Sequence, residues 1–423
     1  MFPLHRMMTA FARYGELTLI DAEGNRHVFQ GKPTGGDNGP ALRPVTVRIH
    51  DASIYRKLMV DPDLAVGEGY MDGKVTLEDG TTLRDLFAFY FRNQEGLESY
   101  GPQRILHRIG FAVRRWQQSN RIGEAQQNVS RHYDIGNDLY KLFLDRNLIY
   151  SCAYFRSPDD TLEEAQRNKL RLAASKLHLK PGNRVLDIGS GWGDMAIYLA
   201  QMEDVHVTGV TLSREQLQLA SERAIAAGVA DRVEFRLKDY RDLTGKFDRI
   251  VSIGMFEHVG SHHYDEFFAK INDLMPDDGV MMLHSIGSME PPTTASSFYR
   301  KYIFPGGSIP SLSEVFASLE RNKIWALDVE ILRLHYAETL RHWYDRFVAN
   351  RDKVVAMYDE RFARMWEFYL NSAEMMFRGG SQQVFQLQLS RSRDATPLQR
   401  DYIIDKQREY LKLEQKKLTR QAA

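Results

Sequence analysis

Short apolar runs alternate with helix-like stretches through the middle of the chain. Runs of β-strand length lie at 184–186, 205–210, 233–237 and 247–253, and a helical run at 195–200 separates the first two. Strands that alternate with helices are typical of a parallel sheet covered by helices. The pattern therefore predicts an α/β fold for the central part of the chain.

The first third of the chain has a different pattern. Strand-like segments at 17–20 and 27–29 flank a turn at 21–25, which predicts a β-hairpin. A further strand is expected at 45–49, and an aromatic segment at 85–91 is expected to be helical. These elements predict a smaller α+β domain ahead of the α/β region.

A basic amphipathic segment follows at 104–121. Its apolar face consists of Ile105, Ile109, Ala112, Val113 and Trp116, and its positive charge comes from Arg104, His107, Arg108, Arg114 and Arg115. Such a helix can lie on an anionic membrane surface, or it can pack against the protein and leave its arginines in solvent. A chain of 423 residues suits one large domain and a smaller one. We place a lipid- or membrane-associated N-terminal domain at 1–122 and the α/β domain, with the catalytic site, at 123–423.

Composition narrows the location and the partners. Hydrophobic residues make up 43% of the chain, and no apolar run is long enough to span a bilayer. The N-terminus lacks the apolar core of a signal peptide, and the single cysteine excludes an internal disulfide. These features predict a cytoplasmic protein. The 56 basic residues balance the 56 acidic ones, so no nucleic-acid partner is expected.

A glycine-rich loop joins the first central strand to the helix that follows it. The loop contains Asp187, Gly189, Gly191, Trp192 and Gly193 in the order D-I-G-S-G-W-G. Glycines allow a tight turn and let the backbone approach a ligand closely. The spacing is G-x-G-x-G and differs from the G-x-G-x-x-G of dinucleotide folds. It resembles the S-adenosylmethionine (SAM) site of Rossmann-like methyltransferases.

Polar residues after the next two strands add to this site. Thr211 and Gln216 can hydrogen-bond a ribose diol. Alternatively, Ser213 caps a helix and Gln216 completes its capping box. Asp239 could accept from an adenine amino group, and Tyr240 could stack on the ring.

Further motifs resemble the cyclopropane fatty acid synthases and their mycolic acid relatives. They lie at 128–138, 149–155, 254–260, 283–287 and 334–340, and the resemblance runs from about Asn128 to Arg391. It implies a Rossmann-like SAM-dependent methyltransferase fold. It also implies transfer of a methylene unit from SAM to the cis double bond of unsaturated phospholipid acyl chains. An enzyme that gives methylene- or methyl-branched chains would use the same site, so it remains an alternative.

The resemblance also implies the residues that carry the chemistry. After an alkene attacks the methyl group of SAM, a base must remove a methyl proton from the resulting cation. Family members are understood to use bound bicarbonate, and their pattern places its partners at Glu257, His284, Tyr336 and the backbone N–H groups of Cys152 and Ile286. Tyr150, Ser151 and Ile253 are assigned to the SAM site. Four of the bicarbonate residues have simpler alternative interpretations. Glu257 could cap a helix, His284 could lie in the core, Tyr336 could have a packing role, and Cys152 could be a buried hydrophobe or a nucleophile.

A metal centre is the less favoured interpretation of one histidine-rich segment. His258 and His262 would share a helical face, with His263 and Asp265 nearby. We expect instead a solvated helix start beside the active site, and no metal. From the resemblance we further expect a homodimer, and from the basic segment 104–121 we expect contact with anionic lipid at the inner face of the membrane.

Overall fold

The computed structural model describes residues 2–36, 40–101, 136–292 and 296–422. The strands are β1 (Glu16–Ile20), β2 (Arg26–Gln30), β3 (Val45–Ile49), β4 (Val75–Glu78), β5 (Arg184–Ile188), β6 (His206–Thr211), β7 (Val233–Leu237), β8 (Arg249–Ile253), β9 (Val280–Ser288), β10 (Trp325–Ile331) and β11 (Gln382–Ser390). The α-helices are α1 (Phe2–Phe11), α2 (Ser53–Val60), α3 (Pro62–Met71), α4 (Leu83–Glu98), α5 (Asn137–Phe143), α6 (Leu162–Lys176), α7 (Asp194–Met202), α8 (Arg214–Ala226), α9 (Tyr264–Leu274), α10 (Leu312–Arg321), α11 (His335–Ala349), α12 (Arg351–Met357), α13 (Glu360–Arg378) and α14 (Asp401–Ala422). Short 3-10 turns lie at Tyr240–Asp242, Phe256–His258 and Ser261–His263, and a π-helix lies at Tyr299–Ile303.

The chain divides into two compact units. The first consists of residues 1–117, 293–305 and 340–382, and the second consists of residues 118–292, 306–339 and 383–423. The sequence pattern did not indicate that two later segments belong to the first unit. The expected boundary between residues 122 and 123 lies outside the described residues, so the division of roles across it remains a prediction.

The first unit contains a four-stranded sheet in the order β2-β1-β3-β4. The predicted hairpin is confirmed, because β1 and β2 pair antiparallel with Glu16 opposite Gln30. β3 pairs parallel with β1 and antiparallel with β4. A capping box between Thr82 and Asp85 begins α4. Inside this helix the fully buried Asn93 bonds both the backbone N–H and the carbonyl of Tyr14, which ties α4 to the chain before β1.

The second unit contains a seven-stranded sheet in the order β10-β11-β9-β8-β5-β6-β7. From β9 to β7 the neighbouring strands pair parallel, which confirms the predicted α/β arrangement. β10 and β11 pair antiparallel and extend the sheet beyond the predicted strands. β5 lies between β8 and β6, so the strand order reverses at β5, where open α/β sheets bind ligands beyond the carboxyl ends of their strands.

Two expectations concern membrane contact. The amphipathic segment 104–121 lies outside the described residues. Within the ranges that the structure describes, no helix is long and apolar enough to cross a membrane. At the other end of the chain, residues 406–420 form part of α14.

Candidate active site

A cavity of about 170 Å³ opens beyond the carboxyl ends of β5, β6, β7 and β8. Among its lining residues are the following predicted SAM-site residues: Tyr150, Ser151, Asp187, Gly189, Gly191, Trp192, Thr211, Gln216, Asp239, Tyr240 and Ile253. The fold thus brings together residues that are up to about a hundred positions apart in the chain. Gly193, which was also predicted for this site, does not line the cavity.

The three glycines of the loop have different surroundings. All three have positive φ, at +79° for Gly189, +53° for Gly191 and +88° for Gly193, so each suits glycine. A Cβ added at Gly191 would meet no atom within 4 Å, whereas one at Gly193 would lie 2.6 Å from Cζ of Phe235. Gly191 therefore faces open space, and Gly193 allows α7 to start close against β7.

Thr211 and Gln216 meet across the end of β6. The Thr211 hydroxyl donates to Oε1 of Gln216 at 2.7 Å, and both residues line the cavity. Ser213 caps α8 by accepting from the Gln216 backbone N–H at 3.3 Å. The cap and the cavity-lining pair therefore coexist, while the side chain of Gln216 bonds Thr211.

The acid at the end of β7 already has a partner. Asp239 accepts from the guanidinium of Arg241 at 3.0 and 2.7 Å and also from the Arg241 backbone N–H. The ring of Tyr240 packs edge-on against Phe267. Asp239 is thus held in place beside the cavity by an arginine that the sequence motifs did not indicate.

Trp192 links the glycine loop to the motif near position 137. Its indole N–H donates to Oδ1 of Asn137 at 2.9 Å, and its ring lies 5.3 Å from that of Tyr140. Tyr140 also packs edge-on against Tyr150. The earlier part of that motif, 128–135, lies outside the described residues.

Lys169 is a residue of this cavity that sequence reasoning missed. Its ammonium donates to the Ser151 hydroxyl at 3.0 Å, and burial lowers its pKa to about 8 against the opposing effect of Asp194 and Asp145. Burial and the charge of Asp194 raise the pKa of Asp187 to about 7. A lysine near the middle of α6 looks like a solvated charge in the sequence, so hydropathy gave no signal for it.

Glu257 lies in the turn after β8 and is bonded to β9. Its Oε1 accepts from the Ile286 backbone N–H at 2.7 Å, while its buried Oε2 has no hydrogen-bond partner among the described residues. Burial raises the pKa of Glu257 to about 7, and the Ile286 N–H only partly offsets this. The Ile286 backbone N–H therefore donates to Glu257 in this structure. Its expected role as a hydrogen-bond donor to a bound anion remains a prediction.

Ser308 lies next to Glu257 and was not predicted individually. Its backbone N–H donates to the Glu257 carbonyl at 2.8 Å, and its own hydroxyl is buried with no partner in the described part of the chain. A buried polar group without a partner is costly. The neighbourhood of Glu257 thus suits a small polar ligand.

His284 is buried in the middle of β9. Its Nδ1 lies 3.1 Å from Nε2 of Gln386 on the neighbouring strand β11. Burial lowers the pKa of His284 well below its usual value, and the charges of Lys169 and Lys176 act in the same direction. The imidazole is therefore neutral at physiological pH, with one donor and one acceptor nitrogen.

Cys152 and Tyr336 lie on two segments that bond one another. The backbone N–H of Ala153 donates to Thr339 at 3.0 Å, and Thr339 lies one helical turn after Tyr336 on α11. Both Cys152 and Tyr336 are buried. Burial strongly raises the pKa of the Cys152 thiol, which therefore stays protonated and is a poor nucleophile.

The side chains of the histidine-rich segment have separate surroundings. His258 lines the cavity, and burial lowers its pKa to about 4. His263 bonds Glu266, and Asp265 forms an ion pair with Arg321. In the portion of the chain that the structure covers, no three His, Cys, Asp or Glu side chains are grouped to hold a metal ion.

Comparison with known proteins identifies the family. The model of the mycolic acid cyclopropane synthetase family matches residues 120–387. The chain belongs to this family. Cyclopropane-fatty-acyl-phospholipid synthase of Escherichia coli K12 is 39% identical to it over 354 residues, which is 84% of this chain and 89% of that protein. A probable fatty acid methyltransferase of Pseudomonas putida is 35% identical over 356 residues, with 81% and 86% covered.

A solved structure of the same cyclopropane synthetase family agrees. The mycolic acid cyclopropane synthase CmaA1, complexed with SAH and CTAB, matches with a TM-score of 0.60 and 36% identity, over 63% of this chain and 98% of that one. The resemblance drawn from the motifs is confirmed, as are the Rossmann-like methyltransferase fold and the enzyme class. The roles of individual residues in this chain remain predictions.

Proposed function

We propose that this enzyme transfers a methylene unit from SAM to the cis double bond of an unsaturated phospholipid acyl chain. The observation that carries the proposal is the juxtaposition of a glycine-lined cavity with a buried, partly unpartnered carboxyl group. Gly254 and Met255, which line the cavity, lie three and two residues before Glu257 in the chain. A cosubstrate in the cavity would thus lie close to a carboxyl group that can take part in proton transfer.

The reaction needs a dry site with fixed polar groups. An alkene carbon forms a bond to the methyl carbon while the C–S bond breaks, and sulfur leaves with the electron pair. The resulting cation then loses a proton from the added methyl group, and the electrons of that C–H bond close the ring. Asp187 would face the positively charged part of SAM, and buried Glu257 and His284 would hold hydrogen bonds without competing water.

The residues around Glu257 fit bicarbonate, the group that the family resemblance implies. Bicarbonate has one donor and several acceptor positions, and Oε2 of Glu257 is a buried acceptor without a partner. His284 and Tyr336 can donate. When bound, bicarbonate would supply the base for the methyl proton. Glu257 and Tyr336 would orient it, and neutral His284 would add a hydrogen bond without adding a positive charge near the cation.

One relative favours the alternative product. The Pseudomonas putida protein is a probable fatty acid methyltransferase, and it shares 35% identity with this chain. The same cavity and acidic group would serve the alternative reaction, because the cation can shift a hydride and then lose a methyl proton, or it can lose a neighbouring proton of the acyl chain. The product would then carry a methylene or methyl branch.

Product analysis tests both versions. Purified enzyme is incubated with methyl-¹³C SAM and vesicles of 1-palmitoyl-2-oleoyl-phosphatidylglycerol, and the lipid is examined by NMR. We expect the label in a cyclopropane ring, with the Glu257→Gln variant as the inactive control. A labelled methylene or methyl branch would support the alternative, and unlabelled lipid would contradict the proposal. Mass spectrometry does not suffice, because cyclopropane and methylene products are isomers.

We also propose that the enzyme meets its substrate as a homodimer on an anionic membrane surface. The homodimer is what the family resemblance implies, and the membrane contact is supported by the sequence of 104–121, in which arginines flank an apolar face. Each basic residue near such a surface contributes about 1 kcal/mol. Replacing Arg108, Arg114 and Arg115 together with Ser should therefore weaken flotation with anionic vesicles but leave SAM affinity intact. If the triple variant floats like the parent at low and high salt, lipid contact lies elsewhere.

A further inference from the structure

Strand β11 carries a polar face inside the second unit. Gln386, Gln388 and Ser390 alternate along the strand and so share one face, and all three are buried. Gln388 bonds the Lys176 carbonyl and the Tyr402 hydroxyl, and Ser390 donates to the Gly279 carbonyl at 2.7 Å. The last two therefore join the strand to backbone and structural side chains, whereas Gln386 contacts a proposed active-site side chain.

The contact between Gln386 and His284 is placed to control a proton. A neutral imidazole carries its proton on either Nδ1 or Nε2. The amide nitrogen of Gln386 faces Nδ1 at 3.1 Å, and an NH₂ group can only donate. In this orientation of the amide Nδ1 is the acceptor, which leaves the proton on Nε2 at the opposite edge of the ring.

We propose that Gln386 is a positioning residue that fixes the His284 ring with its proton on Nε2, so that this nitrogen donates in the active site. The proposal rests on the proposed function, in which His284 donates a hydrogen bond. Gln386 itself would touch neither substrate nor cosubstrate. Its contribution is comparable to the outer partners of metal-bound histidines, which fix both tautomer and ring orientation.

The charged groups around His284 do not determine which of its two ring nitrogens carries the proton. The charged groups that act on His284 are Lys169 and Lys176, and both disfavour a second proton on the ring. They determine that the ring is neutral, but a neutral ring still has two tautomers. Glu257 is bonded to the Ile286 N–H, two residues further along β9. Gln386 is hydrogen-bonded to the ring at 3.1 Å, and it is therefore the group that distinguishes the two tautomers.

Two substitutions and a matched control test the inference. Gln386→Met keeps the side-chain length and removes the amide, so the ring loses its tautomer bias. We expect kcat to fall roughly tenfold to a hundredfold, while KM for SAM changes little. Gln388→Met removes an amide that is equally buried on the same face but does not contact His284, so kcat should fall less. Equal kcat losses in stable Gln386→Met and Gln388→Met proteins would overturn the proposal.

Gln386→Glu gives a readout that a packing defect would not produce. A carboxylate facing Nδ1 draws the proton there, so neutral His284 presents an acceptor at Nε2. It also raises the pKa of His284, and below that pKa the imidazolium regains its Nε2 donor. Activity of this variant relative to wild type should therefore be highest at low pH and fall as pH rises through the pKa of His284. Glu257 titrates in both proteins, so its effect on the pH dependence cancels in the ratio of the two activities. A flat ratio would contradict the inference.

Nitrogen NMR separates this inference from the proposed function. In histidine-¹⁵N enzyme, the His284 signals are assigned by their loss in a His284→Gln variant. We expect a protonated Nε2 and an unprotonated Nδ1, with both signals changed in Gln386→Met and unchanged in Gln388→Met. A proton on Nδ1 of the wild-type ring would overturn the inference even if the enzyme makes cyclopropane. The expected signals in an enzyme that modifies no alkene would show that the proposed function alone had failed.

Discussion

The glycine loop and the buried polar residues Lys169, Glu257 and His284 belong to the same unit but are built in opposite ways. The loop depends on the absence of side chains, because its glycines have positive φ and two of them would clash with neighbours if they carried a Cβ. The protonation of the polar residues depends on their surroundings, because burial shifts the pKa of each residue in the direction that favours its neutral form. The need for glycine is visible in the loop's own sequence, whereas the shifted pKa values of the polar residues arise only in the folded protein.

This contrast predicts different consequences of substitution. In the loop, a methyl group added to a glycine should weaken SAM binding where it enters the cavity, and it should lower the stability of the fold where it presses on a neighbouring side chain. Among the polar residues, a substitution that keeps the shape but removes the charge should lower activity and raise stability. Four experiments test these expectations, and their expected effects decrease in the order given.

The largest effect is expected for turnover in Glu257→Gln. The amide oxygen can still accept from the Ile286 N–H, so the local structure should persist, but the acceptor needed to orient the proposed base is weakened. Loss of a group that positions proton transfer costs about 10²–10⁴-fold. Steady-state kinetics measure the loss of turnover, and calorimetric titration shows whether the affinity for SAM is retained. A variant with near-normal kcat would remove Glu257 from the proposed chemistry.

The second effect compares Gly191→Ala with Gly193→Ala. Both glycines have positive φ, so each substitution costs about 1–2 kcal/mol of backbone strain. At Gly193 the new Cβ would also press on Phe235, which adds about 1–3 kcal/mol. At Gly191 it would enter open space on the cavity side. We therefore expect Gly193→Ala to lose more stability in urea unfolding and Gly191→Ala to lose more SAM affinity.

The opposite outcome would reverse the assignment of these two glycines. If Gly191→Ala unfolded more easily and bound SAM normally, Gly191 would be the packing residue. Calorimetric titration and denaturation on the same samples keep the two readouts separate.

The third effect is a pH-dependent gain in stability in Glu257→Gln. The pKa of Glu257 is raised from 4.5 to about 7, so the folded protein binds more protons than the unfolded chain between these values. Wild-type stability is therefore lost as pH rises through this window, by about 3 kcal/mol at most. The variant does not titrate there, so its advantage in Tm should be present at pH 8 and absent near pH 4.5. Asp187 and Asp145 titrate in both proteins and cancel.

The smallest effect is expected for Cys152→Ser. The proposed contribution of Cys152 is its backbone N–H, which serine retains, and its thiol is held protonated by burial. We expect most of the activity to remain, with a modest loss of stability from placing a hydroxyl where the thiol is buried. Complete inactivation of a folded, SAM-binding variant would point to a covalent role for the thiol.

The elements that sequence could predict are those with local signals. Helices separate β5, β6 and β7, and β8 follows β7 after a 3-10 turn. The apolar runs of these strands indicated a parallel sheet, and the glycine spacing indicated the loop after β5. β11 gave no such signal, because Gln383, Gln386 and Gln388 make a buried strand look polar. Its antiparallel partner β10 was missed with it.

The same reason explains what was missed in the site. Lys169 lies on α6, where Gln166, Asn168 and Arg171 are also buried, so no apolar face marks the buried side. The contact between Gln386 and His284 joins positions about a hundred residues apart, and only the order of β9 and β11 in the sheet brings them together. The family resemblance indicated Glu257 and His284, but the groups that determine their protonation follow from the fold.

The burial of Cys152 has a practical consequence for studying this enzyme. It is the only cysteine in 423 residues, its side chain is almost inaccessible to solvent, and a protonated thiol reacts slowly with maleimides. The native chain therefore behaves as a cysteine-free background for thiol-directed probes. A cysteine introduced at an exposed position of either unit could carry a fluorophore or spin label without first removing Cys152. Distance measurements between two such labels, with and without SAM and lipid vesicles, could then follow the enzyme during turnover.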